Sequence, residues 1–220
     1  MKIKVCGMKY SENMMGVAAL QPDYMGFIFY EKSKRHFTGS LPQIPASIQK
    51  TGVFVNASIA DVLGKVAKYD LQAVQLHGDE TVAYIRTLHM SIHQMIAEDH
   101  RIDGRSKIAI IKVFGIDHTF DFSVVNAYEP VVDYFLFDTK GKERGGNGVS
   151  FDWTLLTQYT SSVPFFLSGG IGMGHLADIQ KLRKSGLPVH ALDINSSFEI
   201  EPGFKSVTHI QRFKDEVSTN

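Results

Sequence analysis

Short apolar runs alternate with longer amphipathic stretches along the whole chain. Eight runs rich in β-branched and aromatic residues stand out: "KIKVCG" (2–7), "YMGFIFY" (24–30), "TGVFVN" (51–56), "AVQLHG" (73–78), "IAIIKVFG" (108–115), "YFLFD" (134–138), "PFFLSGG" (164–170) and "HALDINS" (190–196). Near-continuous apolarity is what a parallel sheet covered by helices requires of its strands. Helix signals fall between them. "SENMMGVAAL" opens with Ser11, a candidate N-cap, and "SIADVLGKVAKYD" has Ser58 as a cap with Ile59, Val62, Leu63 and Val66 on one face. "GHLADIQKLRKSG" ends in basic residues and then Gly186, a stop signal, and Val207, Ile210, Phe213 and Val217 space out a last helix over 205–217.

Eight strands alternating with helices, one pair per roughly 27 residues, predict an α/β fold: a (βα)8 TIM barrel of eight parallel strands, with residues 1–220 as a single domain. A doubly wound open sheet, which usually has fewer strands, is the alternative. No fixed-period repeat and no Pro/Ser-rich linker divides the chain.

In such a barrel the active site gathers at the C-terminal ends of the strands. The polar residues closing the runs are Cys6, Asn56, Gln75 with His77, Asp138, Ser168, and Asp193 with Asn195. A spacing of two places both members of each pair on one face of a strand. The turn "SGGIG" (168–172), with Gly169 and Gly170, leads into a helix, and "NSSFE" (195–199) supplies Asn195, Ser196 and Ser197. Loops after strands seven and eight are this fold's recurring phosphate site, where glycine lets backbone N–H groups approach an anion. A plain tight turn is the other reading of the glycines. "GGIGMG" does not complete the dinucleotide fingerprint, because His175 stands where a glycine is required.

Two residue types carry candidate chemistry. Asp138 ends the run "YFLFD" and opens onto the Lys/Arg/Gly-rich stretch 140–148; it is either a cap or ion-pair partner, or a general acid whose pKa burial raises. Cys6 is either a small buried hydrophobe or, as a thiolate near cations, a base or nucleophile. "YEKSKRHF" (30–37) sets Lys32, Lys34 and Arg35 beside the same mouth, as a solvated loop or as a carboxylate binder, a role for which the arginine fork is suited. His77 with Glu80 lacks a third ligand at useful spacing, so no metal is expected.

Composition narrows the classes. Lys+Arg and Asp+Glu are equal at 23 each, which gives no basic excess for nucleic acid. The single cysteine excludes an internal disulfide framework and fits a reducing compartment. With no signal-like start and no span-length apolar run, a soluble cytoplasmic protein without a membrane partner is expected.

Taken in order, "KVCGM" (4–8), "MGFIFYEKSKR" (25–35), "GVFVN" (52–56), "VQLHGDE" (74–80), "FDTKGKERGGNGVSFDW" (137–153), "LSGGIG" (167–172) and "LDINSSFEIEPGFKS" (192–206) make the chain resemble the phosphoribosylanthranilate isomerase family of tryptophan biosynthesis. The resemblance implies a (βα)8 barrel that performs an Amadori rearrangement without metal or cofactor. N-(5-phosphoribosyl)anthranilate becomes 1-(2-carboxyphenylamino)-1-deoxyribulose 5-phosphate. It further implies Cys6 as general base, Asp138 as general acid and Arg35 facing the anthranilate moiety. Gln75, His77 and Asp193 are left as candidates for substrate contact. The partner so implied is a small phosphorylated sugar–anthranilate, handled by a monomer or homodimer. One departure is Ser197, where the family often has glycine; serine fits only if the backbone there is not glycine-restricted. Indole-glycerol-phosphate synthase would need a lysine where Cys6 stands, a ribulose-phosphate epimerase a metal-binding set that is missing, and a non-catalytic sugar-phosphate binder no acid–base pair.

Overall fold

The computed structural model describes residues 1–98, 107–140 and 151–219. Eight strands close into one all-parallel barrel in sequence order: β1 (Lys2–Val5), β2 (Tyr24–Ile28), β3 (Gln49–Phe54), β4 (Ala73–Leu76), β5 (Ala109–Ile116), β6 (Tyr134–Thr139), β7 (Phe165–Leu167) and β8 (Val189–Ile194), with β8 pairing back onto β1. Six of these strands end inside their apolar runs, whereas β5 and β6 extend one residue past theirs, to Ile116 and Thr139. A two-stranded antiparallel sheet, β9 (Glu199–Glu201) and β10 (Phe204–Lys205), follows the barrel.

Strand alternation divides the apolar residues into two layers. Tyr24, Ala73, Ile111, Val113, Leu136, Phe166 and Ala191 fill the interior of the barrel. The outward residues, such as Phe135 and Phe137 of β6, join the larger core under the helices. Asp138 follows Leu136 by two and so returns to the inner face at the C-terminal end. That phase is how an apolar strand delivers one carboxylate to the mouth.

The helices are α1 (Ser11–Ala19), α2 (Ile59–Tyr69), α3 (Val82–Glu98), α4 (Leu176–Lys184) and α5 (Val207–Thr219). Ser58 caps α2 as expected, its hydroxyl accepting from the Asp61 N–H at 3.1 Å, and Val62 and Val66 are buried while Ile59 and Leu63 pack against the core. Each such buried side chain contributes about 1.5–3 kcal/mol. In α5, Ile210, Phe213 and Val217 are buried. No helix among the described residues is long and apolar enough to cross a membrane.

The alternation of strand and helix is less regular than the sequence pattern suggested. Residues 29–48, between β2 and β3, form no helix; Pro42 and Pro45 remove backbone donors and disfavour helical neighbours. Only short 3-10 segments, Phe122–Ala127 and Glu129–Val131, join β5 to β6, and Trp153–Gln158 precedes β7. Ser11 is not a cap: it is the first helical residue, and the preceding Tyr10 makes no side-chain capping bond.

Candidate active site

The strand-end candidates converge on one cavity of about 640 Å³ at the C-terminal mouth, lined by Cys6, Lys32, Lys34, Arg35, Gln75, His77, Asp138, Ser168, Gly169, Gly170, Asp193, Asn195, Ser196 and Ser197. Asn56 is the exception. Its backbone is left-handed at φ 50°, and its side chain braces the turn after β4 by accepting from the Asp79 N–H. Residues 141–150, which hold most of the Lys/Arg/Gly-rich loop after Asp138, lie outside the described residues.

Cys6 continues β1 and anchors it to β8 through its N–H, which donates to the Ile194 carbonyl at 2.9 Å. It is 4% exposed, and burial pushes its thiol above the ordinary value while Lys4 opposes that rise. Lys4 occupies the preceding inward position of the same strand. It is fully buried, with Nζ 2.9 Å from both carboxylate oxygens of Asp193, and it reaches the Cys6 thiol as well. Register dictates this pair, since Lys4 and Asp193 are direct partners across β1 and β8.

Asp138 enters the same space from β6. Burial first, and then the nearby Asp193 carboxylate, raise its pKa to about 6, against the pull of the Ser168 hydroxyl, the Thr139 N–H and Lys4. His77 Nε2 lies 3.6 Å from Asp138 Oδ2. A carboxyl so placed is far closer to neutral than a surface aspartate and can carry a proton into the cavity. Gln75 is 2% exposed, and its Oε1 has no partner among the described residues. Glu80, by contrast, is structural. Its carboxylate accepts from the N–H groups of Asn56 and Gly78 and pairs with Lys112 Nζ at 2.9 Å.

The two late loops face each other across the cavity. Gly169 has φ 92°, and a Cβ there would lie 2.1 Å from Thr139 Oγ1, so only glycine permits this turn to pack on the end of β6. Ser197 Oγ donates to the Gly170 carbonyl at 3.2 Å, tying the loops together. Ser197 is not among the positive-φ residues, so a side chain at that position costs no backbone strain.

Three site residues escaped sequence reasoning. Lys4 was legible in principle, since a lysine two before Cys6 in an apolar strand shares its inward face. Glu199 and Lys205 were not. Glu199 binds the Arg35 guanidinium and Lys205 binds Glu199, across separations of 164 and 6 residues. Arg35 thus lines the cavity as expected, but with one edge already held by a carboxylate of the protein itself.

A family model for N-(5'-phosphoribosyl)anthranilate isomerase matches residues 3–109 and 91–216. The chain is 39% identical to the N-(5'-phosphoribosyl)anthranilate isomerase of Parabacteroides distasonis, over 99% of this chain and 93% of that protein. It is 35% identical to that of Phocaeicola vulgatus, over 97% and 96%. Among solved structures, phosphoribosyl anthranilate isomerase from Thermus thermophilus superposes with a TM-score of 0.79 at 21% identity, covering 100% of this chain and 99% of that one. The Thermotoga maritima enzyme gives 0.77 at 25% identity with both chains fully covered. A barrel closed in sequence order, with a buried thiol and a buried carboxyl opening on one cavity, therefore belongs to the phosphoribosylanthranilate isomerase family.

Proposed function

We propose that this chain isomerises N-(5-phosphoribosyl)anthranilate by proton transfer between two of its own residues, with Asp138 as the acid and Cys6 as the base. The observation that carries the reading is that these two side chains enter one cavity from different strands, β6 and β1, each buried and each with a raised pKa. Asp138 gives its proton to the furanose ring oxygen as the C1–O bond breaks, leaving a C1 Schiff base cation. The Cys6 thiolate then removes the C2 proton, and the electron pair flows to nitrogen to give an enolamine. Tautomerisation yields the C2 ketone, so C2 is oxidised and C1 reduced within one molecule and no external redox partner is required. Each proton transfer contributes about 10²–10⁴-fold.

The remaining residues bind and orient. Backbone N–H groups of Gly169, Gly170 and the 195–197 turn hold the phosphate, and Arg35 faces the anthranilate carboxylate. Gln75 Oε1, buried without a donor among the described residues, accepts from an N–H or O–H of the substrate, which relieves a desolvation cost of roughly 1–3 kcal/mol. Asp193, a candidate for direct contact, acts chiefly through Lys4, which engages both of its oxygens. Every residue in this account comes from one chain, so a monomer or homodimer serves equally, and a lone cysteine suits the cytoplasm.

The test generates the substrate in situ from anthranilate and phosphoribosyl pyrophosphate and follows its consumption. Cys6→Ser and Asp138→Asn should each fold normally and lose roughly 10²–10⁴-fold in kcat. Near-parental turnover in either variant removes that residue from its role.

A further inference from the structure

We infer that Glu199 is a specificity-positioning residue: it clamps Arg35 edge-on so that the outer edge of the guanidinium presents itself to a carboxylate-bearing ligand. The inference rests on the reading of Arg35 given above.

Arg35 Nε donates to Glu199 Oε1 and Oε2 at 2.8 and 3.1 Å, and Nη2 donates to Oε2 at 2.6 Å. One edge of the guanidinium is thereby fixed in a two-pronged pair, and Nη1 makes no bond to a described residue. The two side chains are 14% and 6% exposed, so the pair is not a solvated surface contact. Beneath it, Gly7 has φ 74°, and a Cβ there would come within 2.7 Å of Arg35 Cδ; the arginine stem lies directly on the backbone that follows Cys6.

Glu199 is held in its turn. It accepts from the Gly203 N–H at 2.9 Å and from Lys205 Nζ at 2.6 Å, which bridges on to Asn195 Oδ1 at 2.6 Å. Lys205 is itself pinned to α1, where Asn13 accepts from its N–H at 2.7 Å and donates to its carbonyl at 2.8 Å. The turn between β9 and β10 thus links the helix after β1, the turn after β8 and Arg35 in one rigid chain of bonds.

Charge explains why three groups are present rather than two. Glu199 alone would cancel Arg35 and leave nothing to attract an anion. Lys205, buried behind the carboxylate, restores one net positive charge, so the exposed edge of Arg35 stays attractive to a carboxylate while its rotamer is locked. Holding a long side chain in its binding geometry beforehand removes the entropy it would otherwise lose on binding.

The probes are reduced 1-(2-carboxyphenylamino)-1-deoxyribulose 5-phosphate and its phenylamino counterpart lacking the carboxylate, with Kd measured by calorimetry on the folded protein. Arg35→Met should weaken the carboxylated probe by roughly tenfold or more and leave the other nearly unchanged. Glu199→Gln should show the same discrimination at roughly three- to tenfold, with KM rising more than kcat falls. Equal weakening of both probes by Arg35→Met, or no weakening of the carboxylated one, would overturn the reading of Arg35 itself. Discrimination in Arg35→Met but none in Glu199→Gln, or equal weakening of both probes by Glu199→Gln, would overturn the positioning role alone. Should Glu199→Gln fail to fold, Glu199→Asp keeps the charge but shortens the reach, and the same two probes decide.

Discussion

Lys4 and Asp193 form a two-pronged ion pair sealed inside the barrel, one inward position behind Cys6, with both carboxylate oxygens 2.9 Å from Nζ. Removing one partner of such a pair leaves an uncompensated buried charge, which costs about 3–5 kcal/mol. Lys4→Met should lower the unfolding free energy measured by urea titration by that amount, and the double replacement Lys4→Met, Asp193→Leu should recover much of it. A single variant as stable as the parent would show that the pair is not held in the folded protein.

The pH–rate profile has limbs opposite to the naive assignment. Asp138, the acid, has a pKa of about 6, while burial pushes the Cys6 thiol above its ordinary value, so the productive pairing of neutral carboxyl with thiolate is the minor protonation state at every pH. Its population is nonetheless greatest between the two pKa values. A bell-shaped kcat/KM is expected, with its acid limb near 6. Asp138→Asn, left with the thiolate requirement alone, should lose the fall at high pH and the break near 6, and rise instead through the higher Cys6 pKa; Cys6→Ser should lose the rise and fall through about 6. A break near 6 that survives in Asp138→Asn belongs to another group.

Asp138 also carries a stability cost at working pH. Its folded pKa lies above the unfolded value of 3.8, so its stabilising contribution is complete below 3.8 and is lost as pH rises through about 6. The rise from 3.8 to about 6 is worth roughly 3 kcal/mol. Asp138→Asn should therefore raise Tm at pH 8, with the gain vanishing near pH 3.5. Equal Tm for parent and variant at pH 8 would contradict the buried environment of this carboxyl.

At the opposite end of the barrel, His190 Nε2 bonds the Tyr24 hydroxyl at 2.8 Å and its ring packs on Tyr134, with centroids 4.3 Å apart. Burial, reinforced by Lys2, lowers its pKa to about 4. A depressed histidine stabilises the fold above its unfolded pKa of about 6.5, and that contribution is lost as pH falls from there toward 4. His190→Gln keeps an acceptor for Tyr24 and removes the titration. The variant should show a shallower fall in Tm between pH 6.5 and 4, read by circular dichroism; an unchanged slope would assign acid unfolding elsewhere.

The sequence by itself determined the eight strands, their parallel arrangement and the residues at their ends, because burial on both faces demands unbroken apolar runs and a period of two fixes which side chain points inward. Cys6, Gln75, His77, Asp138, Asp193 and the two late turns were legible on those grounds, and all open on one cavity. Asn56 was misread, since a left-handed backbone after β3 turns it away, a conformation that a strand pattern does not encode. The helix count was overread where prolines and short 3-10 turns carry the chain between strands. Tertiary structure alone decided the electrostatics. Lys4 meets Asp193 only because barrel closure sets β1 beside β8, and Arg35 meets Glu199 across 164 residues because a hairpin after β8 folds over the mouth. Ion pairing depends on distance in space and on burial, and neither is a periodic property of the chain.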